Sequence, residues 1–284
     1  MRPKALWGGL AILMWVVPGR TQDDAGACTT LMDAVSDSSE ACVEALLKKG
    51  ADPDAKDPGT GMTPLMMAAQ EGNAAAVRAL LKAGARPELS DNNGETALFL
   101  AARAGKGRIA AMLVGGGAKT ATADFSGATP LMAAVQSGST ASERALLSRG
   151  ADPNAPDQSK TTPLMAAVSG GDAASARLLL LYGANADLKD GAGKTALEIA
   201  RDQSREVLAR LLLPFVREGM TPLMFAAGEG DEAVIRYWLK RGAAPGAKDA
   251  RGRTAYDYAA AARRAEAMAL LDPKRFAKPK RGKR

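Results

Sequence analysis

The stretch Thr129-Pro130-Leu131-Met132-Ala133-Ala134-Val135-Gln136-Ser137-Gly138, followed by a second apolar run to Leu146-Leu147 and then Gly150-Ala151-Asp152-Pro153-Asn154, decides the fold. Threonine is a good N-cap, and proline is preorganised for the first helical position, so Thr129-Pro130 opens a short helix. The paired alanines let a neighbouring helix approach closely. Gly138 suits the left-handed stop of that helix. The more hydrophobic second helix ends at the leucine pair, and Gly150-Ala151 leads the chain out. Aspartate-led turns at Asp91, Asp124, Asp190 and Asp249 bring the chain back to the next threonine.

The same phrase recurs in both directions. Thr63-Pro64-Leu65, Thr96-Ala97-Leu98, Thr129-Pro130-Leu131, Thr162-Pro163-Leu164 and Thr195-Ala196-Leu197 start at steps of 33. A step of 26 leads to Thr221-Pro222-Leu223, and one of 33 to Thr254-Ala255-Tyr256. Upstream, Thr29-Thr30-Leu31 stands 34 residues before Thr63. Eight copies therefore cover residues 28–271. One such unit cannot bury its hydrophobic face alone, so stacking must supply the core. The expected fold is an all-α solenoid of eight helix-turn-helix units joined by short β-hairpin-like turns.

The pattern resembles the ankyrin repeat: the Thr-Pro-Leu, Ala-Ala, Gly, Leu-Leu and Gly-Ala-Asp-Pro-Asn positions agree together. One departure is systematic. The family usually carries histidine after Thr-Pro-Leu, whereas this chain places Met66, Phe99, Met132, Met165, Glu198, Met224 or Asp257 there. Apolar packing is expected to replace most of the histidine's polar tie. The resemblance implies a scaffold that offers a concave face, made of turn tips and first helices, to a protein partner. The tips carry Asp57, Thr60, Asn92, Asn93, Phe125, Ser126, Gln158, Ser159 and Arg251. Their variation fits either partner recognition or the free drift of exposed turns.

The sixth unit breaks the rhythm. After Leu212-Leu213 the Gly-Ala exit and the aspartate turn are missing, and Pro214-Phe215-Val216-Arg217-Glu218 runs straight into Gly219-Met220-Thr221. A whole finger should be gone or stunted, leaving a notch in the concave wall between the sixth and seventh units. Phe215, Arg217 and Phe225 lie beside it, in a region rich in aromatic residues. Either those rings fill the vacated volume or they form a binding patch.

Composition argues against chemistry. The chain has no histidine, which removes histidine-based triads, histidine metal sites and the commonest general base. Two cysteines cannot complete a four-ligand zinc site. Gly191-Ala192-Gly193-Lys194-Thr195 resembles the end of a phosphate loop, yet it follows no strand and sits on the repeat's own turn. No catalytic, cofactor or metal site and no small-molecule substrate is expected.

The ends carry the remaining signals. Arg2 and Lys4 precede an apolar stretch from Ala5 to Val17 that Pro18-Gly19 closes, as in a secretory signal peptide, and residues 1–27 read as that signal and a short linker. Export would place Cys28 and Cys42 in an oxidising compartment, where an even count favours a disulfide. Their places near opposite ends of a helix hairpin oppose it, and the pairing stays open. The formal net charge of +7 resides at the termini: Lys274, Arg275, Lys278, Lys280, Arg281, Lys283 and Arg284 face only Asp272, and residues 28–271 balance to zero. Residues 272–284 read as a disordered basic tail capable of weak contact with anionic surfaces. The function expected is an exported, monomeric, non-enzymatic scaffold for a protein partner in the periplasm or outside the cell. The alternative is an intracellular or membrane-anchored adaptor whose tail meets nucleic acid or anionic membrane.

Overall fold

The computed structural model describes residues 29–276. They form eight helix pairs: α1 (Leu31–Ser36) with α2 (Glu40–Lys48), α3 (Pro64–Glu71) with α4 (Ala74–Lys82), α5 (Ala97–Arg103) with α6 (Gly107–Gly115), α7 (Pro130–Gln136) with α8 (Thr140–Leu147), α9 (Pro163–Gly170) with α10 (Ala173–Leu181), α11 (Ala196–Asp202) with α12 (Glu206–Glu218), α13 (Pro222–Glu229) with α14 (Glu232–Lys240), and α15 (Ala255–Ala261) with α16 (Ala265–Leu271). The hairpin-like turns between pairs are reduced, among the described residues, to single antiparallel bridges at Ser90–Thr96 and Lys189–Thr195.

Each first helix starts as its sequence dictates. The hydroxyl of Thr63, Thr96, Thr129, Thr162 or Thr221 accepts the backbone N–H three residues on, satisfying one of the donors that a helix start leaves open. The methionines do more than pack. The sulfur of Met66 accepts the N–H of Thr63 at 3.3 Å, and Met165 and Met224 do the same for Thr162 and Thr221 at 3.4 Å. A thioether is a weak acceptor, but these sulfurs are buried and close the cap from the other side. The polar tie is weakened here, not abolished.

The position three residues after that threonine also marks where the stack ends. Met66, Phe99, Met132, Met165 and Met224 are buried between neighbouring repeats. Repeats six and eight instead place Glu198 and Asp257 there, both exposed, with each carboxylate accepting the cap N–H; in repeat one, whose first helix is capped one residue later by Thr30, half-buried Met32 keeps the place and the next residue, Asp33, accepts the cap N–H. The Thr29 and Thr30 hydroxyls chiefly hold the Asp33 carboxyl below the ordinary carboxylate range, and the cap N–H bonds chiefly do so for Glu198 and Asp257. Arg201 on α11 likewise stands exposed where α7 and α9 bury Val135 and Val168. The helix stop behaves the same way. Gly171 is left-handed at φ 76, and the guanidinium of Arg205 lies so close that a Cβ would collide with it. Ser204 and Arg263, at φ 54 and 55, fill the same place in repeats six and eight. Repeats six and eight are therefore built as polar end caps.

Packing agrees. First helices stack in order from α1 to α11, and second helices from α2 to α12. There the order stops. α13 packs against α10, and α15 and α16 then stack on α13 and α14. The expected notch in a continuous wall is corrected to a change of stacking direction: repeats seven and eight form a short second stack seated on a second helix of repeat five. The missing finger is the cause. α12 continues through Pro214 to Glu218, ending on left-handed Gly219 at φ 64, so the chain enters α13 without the turn that would carry it back to α11.

At the ends, Cys42 lies in the first turn of α2 and is held in a disulfide, while Cys28 lies outside the described residues. So do residues 1–27 and the basic residues from Lys278 on. Past Leu271, where a disordered tail was expected to begin, Pro273–Phe276 makes one more helical turn, α17. Asp272 explains it, since its carboxylate accepts the N–H of Lys274 at 2.9 Å and its carbonyl that of Arg275 at 3.0 Å.

Candidate interaction surface: fingertips and the repeat-six junction

The fingertips are joined by a ladder of backbone bonds. Asn92 N–H donates to the carbonyl of Thr60 at 3.0 Å, Phe125 to Asn93 at 3.1 Å, Gln158 to Ser126 at 3.1 Å, and Gly191 to Ser159 at 2.8 Å. Beneath each tip an aspartate gathers the turn. Asp57 accepts from the Thr60 hydroxyl and from the N–H groups of Thr60 and Gly59, in that order of influence, and its carboxyl lies below the ordinary range. In the repeat-six turn Asp190 accepts from Ala192 and Lys194 N–H, and Lys194 Nζ reaches Asp202 at 2.5 Å. The groups that a phosphate loop would turn toward a ligand are thus committed to the repeat's own turn.

The ladder breaks after this turn. A Cβ on Gly94 or Gly127 would strike the next finger, whereas one on Gly193 would meet nothing within 4 Å. Among the described residues it resumes once: Ala250 N–H donates to the carbonyl of Glu218 at 2.8 Å, so the end of α12 stands in for the lost finger.

These contacts sort the sequence-derived candidates into two groups. Thr60, Asn92, Asn93, Phe125, Ser126, Gln158 and Ser159 are exposed along one row, with Asp57 half-buried at its start. Within it the Thr60 and Ser126 hydroxyls serve their own aspartates, and the Asn92 and Gln158 amides donate to the carbonyls of Gly59 and Phe125. Asn93, Phe125 and Ser159 have side chains with no hydrogen bond among the described residues. Phe125 is 71% exposed at the middle of that row.

Phe215, Phe225 and Arg251 belong to the junction instead. The Phe215 and Phe225 rings meet edge-on with centroids 5.1 Å apart, and Arg251 pairs with Glu218. Arg217 is exposed in the last turn of α12. The rings here fill the volume where the short stack meets the long one: Tyr182 meets Tyr237 edge-on at 5.2 Å, and Tyr237 meets Trp238 at 5.4 Å. Sequence reasoning missed the polar half of this contact. Arg144 on α8 reaches Asp231 at 3.4 Å, and Arg177 on α10 pairs with Glu229 and sits over the Phe225 ring. Arg144 and Arg177 line an open groove of about 430 Å³ between α8 and α10. Nothing in a 33-residue period announces a contact between repeats four or five and repeat seven.

Among the described residues no group of three or more Cys, Asp or Glu side chains is placed to hold a metal ion, and no helix is long and apolar enough to cross a membrane. No curated protein matches the chain. Family models do: ankyrin repeats (3 copies) over residues 31–124 and 65–157, and ankyrin repeats (many copies) over residues 146–200 and 216–259. The matches pause at residues 201–215, across most of the helix that replaces the missing finger. With the stacked helix pairs, the aspartate-led fingers and these matches in agreement, the chain belongs to the ankyrin repeat family of protein-interaction scaffolds.

Proposed function

We propose that this chain is an exported, non-enzymatic scaffold that holds a protein partner against the fingertip row of repeats two to five. The exposure of Phe125 carries the reading. A large ring left in water at a turn tip contributes little to the fold, and aromatic anchors flanked by adaptable polar groups dominate protein interfaces. Asn93 and Ser159, unbonded on either side, supply those groups. Export rests on the basic start and apolar run before residue 20, together with a disulfide at Cys42.

Two experiments test it. Amino-terminal sequencing of the native protein should find a mature start between Arg20 and Cys28; an intact Met1 in the soluble cytosol rejects export. Affinity capture with the mature array should recover a partner that Phe125→Ala weakens by about tenfold or more, as expected of a hot-spot ring. Val207, as exposed as Phe125 but on α12, supplies the control: Val207→Ala should leave capture unchanged. Equal losses from both variants would reject the fingertip row.

A further inference from the structure

The face built by the second helices has a charge pattern of its own. Helices α4, α6, α8 and α10 contain a single carboxylate, Glu143, and it is fully buried. Arg78, Arg144 and Arg177 occupy one and the same helical place in α4, α8 and α10, five residues after each N-cap. On α6 that place is Ala111, and Arg108, three residues earlier, keeps a cation on the same face. The row is already occupied at one end. Asp231 and Glu229 of the short stack neutralise Arg144 and Arg177, and Phe225 lies under the second guanidinium. At the other end Arg78 and Arg108 are exposed with no ion pair among the described residues, beside half-buried Ala75, Ala79 and Met112.

From this we infer a second docking face: the exposed surface of α4 and α6 binds an acidic helical segment of a protein partner, through the same arginine–carboxylate pairing that the α13–α14 corner makes with Arg144 and Arg177. The geometry suits a helix. Packed second helices lie about 10 Å apart, so the cations recur at that interval. Carboxylates seven residues apart on a helix are separated by about 10 Å along its axis and share a face. The alanines and Met112 between the cations offer an apolar ledge to the residues between those carboxylates. Single-stranded nucleic acid is a poorer fit, because α4 and α6 carry no aromatic ring on which a base could stack. This face is separate from the fingertip row, so Phe125→Ala bears on that reading alone.

The test uses the full chain and fluorescence anisotropy. The probe is a labelled alanine-rich helix with glutamate at every seventh position and leucine between, beside the same peptide with glutamine for glutamate and a single-stranded oligonucleotide of similar length. Two double variants are compared: R78E/R108E on the face, and K280E/R281E on the basic tail. The glutamate peptide should bind, the glutamine peptide should not, and R78E/R108E should weaken binding by about tenfold or more while K280E/R281E leaves it unchanged. Both face residues are exposed, and an unaltered circular dichroism melt confirms that the reversal acts on binding. Absence of peptide binding, a loss caused by the tail variant instead, or an oligonucleotide binding as tightly through Arg78 and Arg108 would each overturn the inference.

Discussion

Trp238 Nε1 donates to the carbonyl of Leu181 at 2.8 Å, tying α14 to the last turn of α10 across 57 positions of sequence. A helix leaves its last carbonyls without intrahelical partners, and the indole satisfies one of them here. The ring also lies over Gly183, where a Cβ would come within 3.1 Å of it. Together with the arginine pairs, this bond is how a stack of only two repeats holds its seat.

Removing it should loosen the short stack first. Trp238→Phe keeps most of the ring and leaves the Leu181 carbonyl unpaired, at a cost of about 1–3 kcal/mol. Trp238→Ala should cost more, though less than the roughly 3–5 kcal/mol of a fully buried tryptophan, because the side chain is only half-buried. Hydrogen exchange should show residues 220–271 losing protection while residues 31–200 keep theirs. A uniform loss over both stacks would contradict the two-stack description.

The caps predict an asymmetry between chemically opposite substitutions at one repeat position. Met132→Glu puts a carboxylate between repeats at a fully buried site and should cost about 3 kcal/mol or more. Glu198→Met places an apolar side chain on an exposed cap and should leave monomer stability within about 1 kcal/mol, while promoting self-association. Urea denaturation and sedimentation velocity measure the two effects. Equal destabilisation by both variants would mean that repeat six is not an end.

Glu143 should make stability depend on pH in an unusual direction. Ser175 Oγ lies 2.5 Å from Glu143 Oε1 and 2.7 Å from Asp172 Oδ2, and one hydroxyl proton cannot serve two carboxylates. Burial raises the Glu143 pKa, outweighing the bond from Ser175, and nearby Asp172 adds to the rise. Its Oε2 is buried without a partner. A raised native pKa means stability that is complete below the ordinary glutamate value and declines as pH climbs toward the native one. Glu143→Gln should match the parent at pH 4 and exceed it at pH 8 by about 1–3 kcal/mol in urea melts. A variant less stable at both pH values would contradict a raised Glu143 pKa.

Asp249 should do the reverse. Burial opposes its ionisation, but bonds from the Arg253 N–H, the Tyr258 hydroxyl and the Arg253 guanidinium outweigh burial and hold its pKa down to about 2. The same burial and bond push Tyr258 up to about 12. Stability from a depressed carboxyl is present above its unfolded value of 3.8 and is lost as pH falls toward 2. Tyr258→Phe removes one of those donors, so acid unfolding followed by circular dichroism should begin at a higher pH. No shift would mean that the bonds from Arg251 and Arg253 hold the carboxylate without the tyrosine.

Much of the molecule was legible in residue order. Thr-Pro openings, glycine stops, leucine pairs and aspartate turns each act over a few bonds, and their recurrence every 33 residues implies the neighbour-on-neighbour core. The lost finger was legible too, because seven residues are simply missing. Glu198 and Asp257 stood out in the sequence as departures, but that they cap the ends of two stacks is decided by their exposure beside the buried Met165. What only the tertiary structure decided is where the chain goes afterwards and which tips are left unbonded. A repeat pattern specifies contacts between adjacent units, and once the period breaks it no longer names a neighbour. The seat of repeat seven depends instead on a backbone carbonyl at Leu181 and on arginines at 144 and 177 that look, in sequence, like any other solvated helix face. Phe125 differs from Gln158 for a similar reason: the glutamine amide finds the Phe125 carbonyl on the preceding finger, and the phenylalanine ring has no polar atom to do likewise.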